Sequence, residues 1–250
     1  MNDPIDPRPL EPGTAAPASG GFARVLRVFF EPGKVFSELN VKPSFVWALI
    51  VLVAATFSVQ AVVSTRLDME SIIRAQMSER SQGRQLNEDQ LASAMKFATI
   101  AAKVGMFAAP LAVPLVFLAL AGIYLALLKV FGSQVDFNRV FAVTTHAAVP
   151  PTVVGAVIGS LVALSKGAIT TSQEAENLLK SSLGAVLPEG TNAMVRAAAG
   201  VLDIFNVWQW ILLAIGLTIV GRVTRGKAVA AIAVVWGIWL VIKVGLAALR

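Results

Sequence analysis

The chain has a single histidine, His146, and no cysteine. Those two facts narrow the available chemistry. One imidazole can relay a proton near neutral pH, but Cys-ligated metals are excluded and a His-ligated metal lacks its second imidazole. His146 lies inside a long apolar stretch, beside Thr144 and Thr145. An ionisable residue at such depth is a functional candidate; the simpler reading is a neutral ring hydrogen-bonded between helices. Asp203 precedes another apolar stretch and could bind a cation or pair with a Lys or Arg of a neighbouring helix. Its position equally suits a helix N-cap, where a carboxylate accepts from free backbone N–H groups and meets the positive dipole end. Lys103 opens a further stretch and reads as a snorkelling cation. There is no HExxH, no phosphate-cradling glycine loop and no nucleophile–base pair. The chain therefore reads as a non-enzyme with neither catalytic residues nor a cofactor.

Backbone chemistry offers another possibility. Pro110 and Pro114 share one apolar stretch, and Pro150 and Pro151 share the next. Proline withdraws an N–H from the helical ladder and kinks it, and such breaks can line substrate cavities in membranes. Two kinked helices framing a cavity are the sequence argument for a small permease or transporter component. Against it, neither stretch holds a carboxylate to couple protons or sodium. Kinks that only shape packing are the plainer alternative. Gly155 and Gly159 form a GxxxG pattern, which permits close helix approach within a bundle or in a homo-oligomer. Trp208 and Trp210 follow Asp203 closely and suit a membrane interface.

These residues are positioned by five apolar stretches, at about 44–65, 104–128, 140–164, 204–221 and 228–249. A spanning helix needs about 20 mostly apolar residues. Four of the stretches contain no Asp, Glu, Lys or Arg, and the fifth has Lys243 near its end. The 104–128 stretch has thirteen Leu, Ile, Val or Phe residues, giving about −4 to −8 kcal/mol for insertion. The fourth is the weakest, because Asn206 and Gln209 lie in its first half. The expected fold is all-α: a polytopic transmembrane bundle of five spans, plus short amphipathic helices at the interface.

Composition agrees. The chain is 56% hydrophobic and 14% charged, whereas a soluble domain has about 25% charged residues. Mean hydropathy is +0.72. The formal charge of +6 reads as basic loops beside anionic lipid, and nucleic acid is not an expected partner.

Residues 1–21 are rich in Pro, Gly and Ala, and read as a disordered tail ahead of a membrane domain at 22–250. Residues 1–20 lack the apolar core of a cleavable signal, so the first span reads as an uncleaved signal-anchor. Between tail and first span, Phe22, Val25, Leu26, Phe29 and Phe30 fall at helical spacing, with Arg24 and Arg27 among them. The pattern suits a short helix in the membrane surface. Pro32 can open a second helix carrying Val35, Phe36 and Leu39. The segment is either a lipid- or partner-binding element or a re-entry helix packed on the spans.

Two long polar connections, 66–97 and 166–202, face one side. The first contains a helix from Asp68, a break at Gly83 and a second start at Asn87, with Gln90 at capping-box spacing. In the second, Thr171 and Glu174 form a capping box ahead of a helix at 175–183, and Gly184, Pro188 and Gly190 break the chain. The short connection 222–227 carries Arg222, Arg225 and Lys227 with no acid. With Arg24, Arg27, Lys34 and Lys42 on the same side, the positive-inside rule predicts a cytoplasmic N-terminus and an outside C-terminus.

Phe29-Phe30-Glu31-Pro32-Gly33-Lys34-Val35-Phe36, followed by Lys42-Pro43-Ser44 opening a span, resembles the start of the Yip domain family of five-span membrane proteins related to Ypt/Rab-interacting proteins. Leu202-Asp203-Ile204-Phe205-Asn206-Val207-Trp208, running into 212–216, is similar to the start of that family's fourth span. Residues 141–151 are similar to its third. The resemblance covers about residue 29 to the C-terminus. It implies five helices, a cytoplasmic N-terminus and no catalytic chemistry; the expected partners are the lipid bilayer and other membrane proteins. Eukaryotic members carry an Asp-Leu-Tyr-Gly-Pro-like stretch before the first span, where this chain has Asn40-Val41-Lys42-Pro43. That departure argues against a Rab-type GTPase partner and implies a bacterial member in the cytoplasmic (inner) membrane.

Overall fold

A computed structural model describes residues 20–80, 88–171, 174, 178–179, 181–188 and 190–248. The tail up to residue 19, the break at Gly83, the cap at Asn87 and residues 175–177 and 180 of the helix expected at 175–183 lie outside the described residues; the described end of that stretch is not helix as expected, because Ser182 bridges to Asp203 and a 3-10 turn begins at Leu183.

Among the described residues, five helices are long and apolar enough to cross a membrane. The N-terminal hairpin comprises α1 (Gly21–Arg27) and α2 (Pro32–Val41), and the first span is α3 (Val46–Ser64). On the opposite face, α4 (Met69–Arg80) precedes α5 (Glu88–Ala108). A 3-10 turn at Ala109–Ala112 joins α5 to α6 (Val113–Val130). The central helix is α7 (Phe137–Ser165). A second 3-10 turn (Leu183–Val186) and α8 (Ala193–Ala199) lead to α9 (Ile204–Gly221) and α10 (Arg225–Ala248). Chain direction then defines two faces. The near face holds the hairpin and the α6–α7 and α9–α10 turns; the far face holds the long polar connections.

The second span is longer than its apolar core. Helix runs with one 3-10 interruption from Ala92 to Val130, 39 residues, or about 58 Å at 1.5 Å per residue. Hydrocarbon is about 30 Å thick, so its first turns extend beyond the bilayer core on the far face. Pro110 explains the interruption, since it lies in the 3-10 turn. Pro114 sits in the first turn of α6, where a missing N–H costs nothing. Pro150 and Pro151 behave differently: α7 continues through both.

Helix α7 organises the bundle, packing against α3, α6 and α9. Every residue from Val140 to Pro151 is buried. A helix buried all round cannot be amphipathic. The run uses Ala142, Thr144, Thr145, Ala147 and Ala148, small residues that let helices approach closely. Gly216 of α9 shows how tight this packing is. A Cβ there would lie 2.4 Å from Val143 Cγ1 and 3.3 Å from Phe36 Cδ2, so α2, α7 and α9 meet where only glycine fits.

Candidate functional site

The hairpin forms a site because its second helix is sunk into the bundle. Pro32 occupies N1 of α2, and Val35, Phe36 and Leu39 are fully buried. Of the two readings the sequence leaves open for this segment, the packing of α2 against α7 and α9 fits the re-entry helix packed on the spans. The physical reason is the apolar triplet, which gains more against helices than in the half-wet interface.

Burial of α2 carries Glu38 beneath α1, and two arginines converge on it. Arg24 Nε lies 3.1 Å from one Glu38 oxygen, and Arg27 Nη1 donates to the other at 2.7 Å. Arg24 Nη1 also donates to the Lys42 carbonyl at 2.9 Å and to Ser44 Oγ at 3.2 Å. The Arg24 side chain is only 3% exposed. Glu31 extends the chain of charges, accepting from Arg27 at 3.1 Å and from Lys34 at 2.7 Å. Hydrogen bonds from Lys34 and then Arg27 hold the Glu31 carboxyl below its ordinary value. The hydrogen bonds that Arg27 donates to Glu38 and then to Glu31 raise its own value further. Arg139 joins the cluster from α7, donating to the Asn40 carbonyl at 2.6 Å. The sequence showed Arg24 and Arg27 only as charges within an apolar pattern. The missed signal was complementary spacing: basic residues at 24 and 27, and charges at 31, 34 and 38 on one face of α2.

While Arg24 turns inward onto Glu38, apolar side chains turn outward. Phe22, Leu26 and Phe30 are exposed, and Phe22 meets Trp47 of α3 edge-on at 5.6 Å between ring centres. Val25 is buried, and Phe29 packs on the core. The helical stripe read from sequence is thus split between the bundle and the membrane side.

The other candidate residues do not assemble. His146 is 1% exposed, with Nδ1 2.8 Å from the Ala142 carbonyl. Facing a carbonyl, Nδ1 carries the proton in the neutral ring, and among the described residues Nε2 has no hydrogen-bond partner. Thr144 and Thr145 likewise bond back to the Val140 and Phe141 carbonyls. This is the back-bonding that keeps buried polar side chains satisfied within a helix. Asp203 caps α9, accepting from the Phe205 N–H at 2.7 Å and from the Ser181 hydroxyl. It belongs to the far face, whereas His146 is nine residues into α7 from the near face. They form no pair. Trp208 packs against the core, and Trp210 meets Trp236 edge-on at 4.1 Å. Gly155 and Gly159 face neighbours within the chain: Phe205 at 3.9 Å and Val59 at 3.4 Å from a would-be Cβ. Pro110 and Pro150 are buried. Among the described residues no three His, Cys, Asp or Glu side chains could hold a metal ion.

A charged hairpin whose second helix is packed into an apolar bundle of five spanning helices defines an integral, multi-pass membrane protein. The family model described as the Yip1 domain matches residues 26–247, and the chain belongs to the Yip1 domain family. It is similar to the membrane protein YknW of Bacillus subtilis (strain 168), at 24% identity over 86% of this chain and 85% of that protein. No solved structure matches it.

Proposed function

We propose that this chain is a non-enzymatic organiser of a bacterial cytoplasmic membrane, acting through its N-terminal hairpin at the cytoplasmic surface. One observation carries the reading: Glu38 grips both Arg24 and Arg27 while Phe22, Leu26 and Phe30 are left exposed beside Trp47. A fixed apolar edge at the bilayer boundary inserts about 5–10 Å between headgroups. Because it is locked to the bundle, it spreads one leaflet more than the other. The basic residues of the near face, among them Lys42, Arg222 and Arg225, suit anionic lipid. Likeness to a protein named only as a membrane protein agrees with this reading and adds no partner. The permease reading has no comparable support, since Pro150 and Pro151 lie in an unbroken, buried helix.

The test is reconstitution into vesicles of graded diameter. Deleting the whole hairpin would remove buried Val35, Phe36 and Leu39, so point changes are preferable. The wild type is expected to partition towards small vesicles. Phe22→Ser, Leu26→Ser and Phe30→Ser together should abolish that bias while leaving helicity unchanged. Equal partitioning of both proteins sinks the proposal.

A further inference from the structure

The far face carries a cleft that neither the hairpin nor the central helix uses. It measures about 750 Å³ and opens between α4 and the first half of α5. Asp68, Glu70 and Arg74 line one side, and Lys96, Thr99 and Lys103 line the other. Residues 96, 99 and 103 share one face of α5, with the lysines about 10 Å apart along the axis.

The acidic groups there are already engaged. Asp68 accepts from the Ser71 N–H at 3.1 Å and from its hydroxyl at 2.7 Å, and these bonds hold its carboxyl below the ordinary range. Glu70 pairs with Arg74 at 2.9 Å. Among the described residues neither Lys96 nor Lys103 has an ion-pair partner. Two cations and a hydroxyl therefore line open space, and their chemistry suits an anion with several oxygens.

The rest of α5 says where that space lies. Phe97, Ile100 and Val104 are 76%, 54% and 63% exposed, interleaved with Lys96, Thr99 and Lys103. Such an apolar face belongs in hydrocarbon. The cleft thus sits where hydrocarbon gives way to headgroups, in a layer roughly 5–8 Å thick on each side.

We propose that this cleft holds the phosphate of a phospholipid headgroup from the far leaflet, with Lys96 and Lys103 as cationic ligands and Thr99 as hydrogen-bond donor. The site is separate from the hairpin and does not rest on the function proposed for it. Soluble phosphate presents similar oxygens, but the flanking Phe97 and Ile100 favour a ligand that arrives with acyl chains.

The test uses full-length protein in nanodiscs holding equal amounts of a phospholipid and a diacyl glycolipid with the same acyl chains and no phosphate. Lipids retained after detergent transfer are counted by native mass spectrometry. The wild type is expected to keep phospholipid over glycolipid by about tenfold. Lys96→Gln with Lys103→Gln should bring the ratio close to one, while Gly237→Ala in α10, with open space at its Cβ position, should leave it at the wild-type level. Excess inorganic phosphate should not displace the lipid. The proposal is overturned by equal retention of both lipids, by a double variant that keeps the preference, or by displacement with inorganic phosphate, which would assign the cleft to a soluble anion. If the double variant fails to insert, Lys103→Gln alone is measured, and an unchanged ratio there has the same consequence.

Discussion

Arg24 is nearly inaccessible and accepts no compromise in its partners. Removing one member of a buried ion pair strands the other charge, at a cost of about 3–5 kcal/mol. Glu38→Ala should therefore lower the thermal midpoint in detergent far more than Glu70→Ala, whose partner Arg74 is 64% exposed. Arg24→Met with Glu38→Leu should recover most of the loss, because an apolar pair of similar volume needs no solvation. The pH dependence has a definite sign. The folded Glu31 carboxyl lies below its ordinary 4.5, so its contribution is fully present above 4.5 and is lost as pH falls through the folded value. Amide exchange of residues 21–27, corrected for intrinsic rates, should stay slow down to about pH 4.5 and quicken only below it. The position of His146 within an apolar stretch was legible, but its bond is to the Ala142 carbonyl of its own helix and not between helices as expected. The pairing of Arg24 was not legible, because its partner is fourteen residues away.

At the scale of elements, the contact among α2, α7 and α9 is the least tolerant. Gly216→Ala would place a methyl in collision with Val143 Cγ1, on a fully buried β-branched residue that is stiff at χ1. Overpacking of this kind costs about 1–3 kcal/mol. Gly237→Ala in α10, with nothing within 4 Å of its Cβ position, should be neutral or mildly stabilising. Thermal unfolding of the two variants, side by side, checks the contrast. Several elements were readable in advance. Pro32 does open α2, Thr171 Oγ1 does accept from the Glu174 N–H at 3.1 Å, and Asp203 does cap α9. The merging of α5 with the second span was not readable. The sequence marks a helix start at Asn87 but not that this helix runs on into the apolar core without an intervening loop, although propagation extends it there at little further cost.

For the whole molecule, the near face gathers the hairpin, Arg222, Arg225 and Lys227. Positive charge on short connections favours the cytoplasm. The absence of cysteine makes this directly measurable. Single cysteines replacing Lys34 and Arg225 should react with a membrane-impermeant maleimide only after cells are opened. One replacing Thr171 on the far face should react in intact cells. The reverse pattern would invert the orientation and move the hairpin to the outer surface.

The number of spans was determined by the sequence alone, because spanning depends on the length of an apolar run against a fixed hydrocarbon thickness. Helix caps and the Pro32 start were local in the same sense. Tertiary structure decided the rest, because it depends on side chains brought together from distant positions. Only packing turns Arg24 inward onto Glu38, makes glycine obligatory at 216, places the GxxxG glycines against Phe205 and Val59 rather than on an open face, and sets Lys96 and Lys103 beside the turn at Asp68. Apolar burial is a property of each segment; the direction of a charge is a property of the neighbours it acquires.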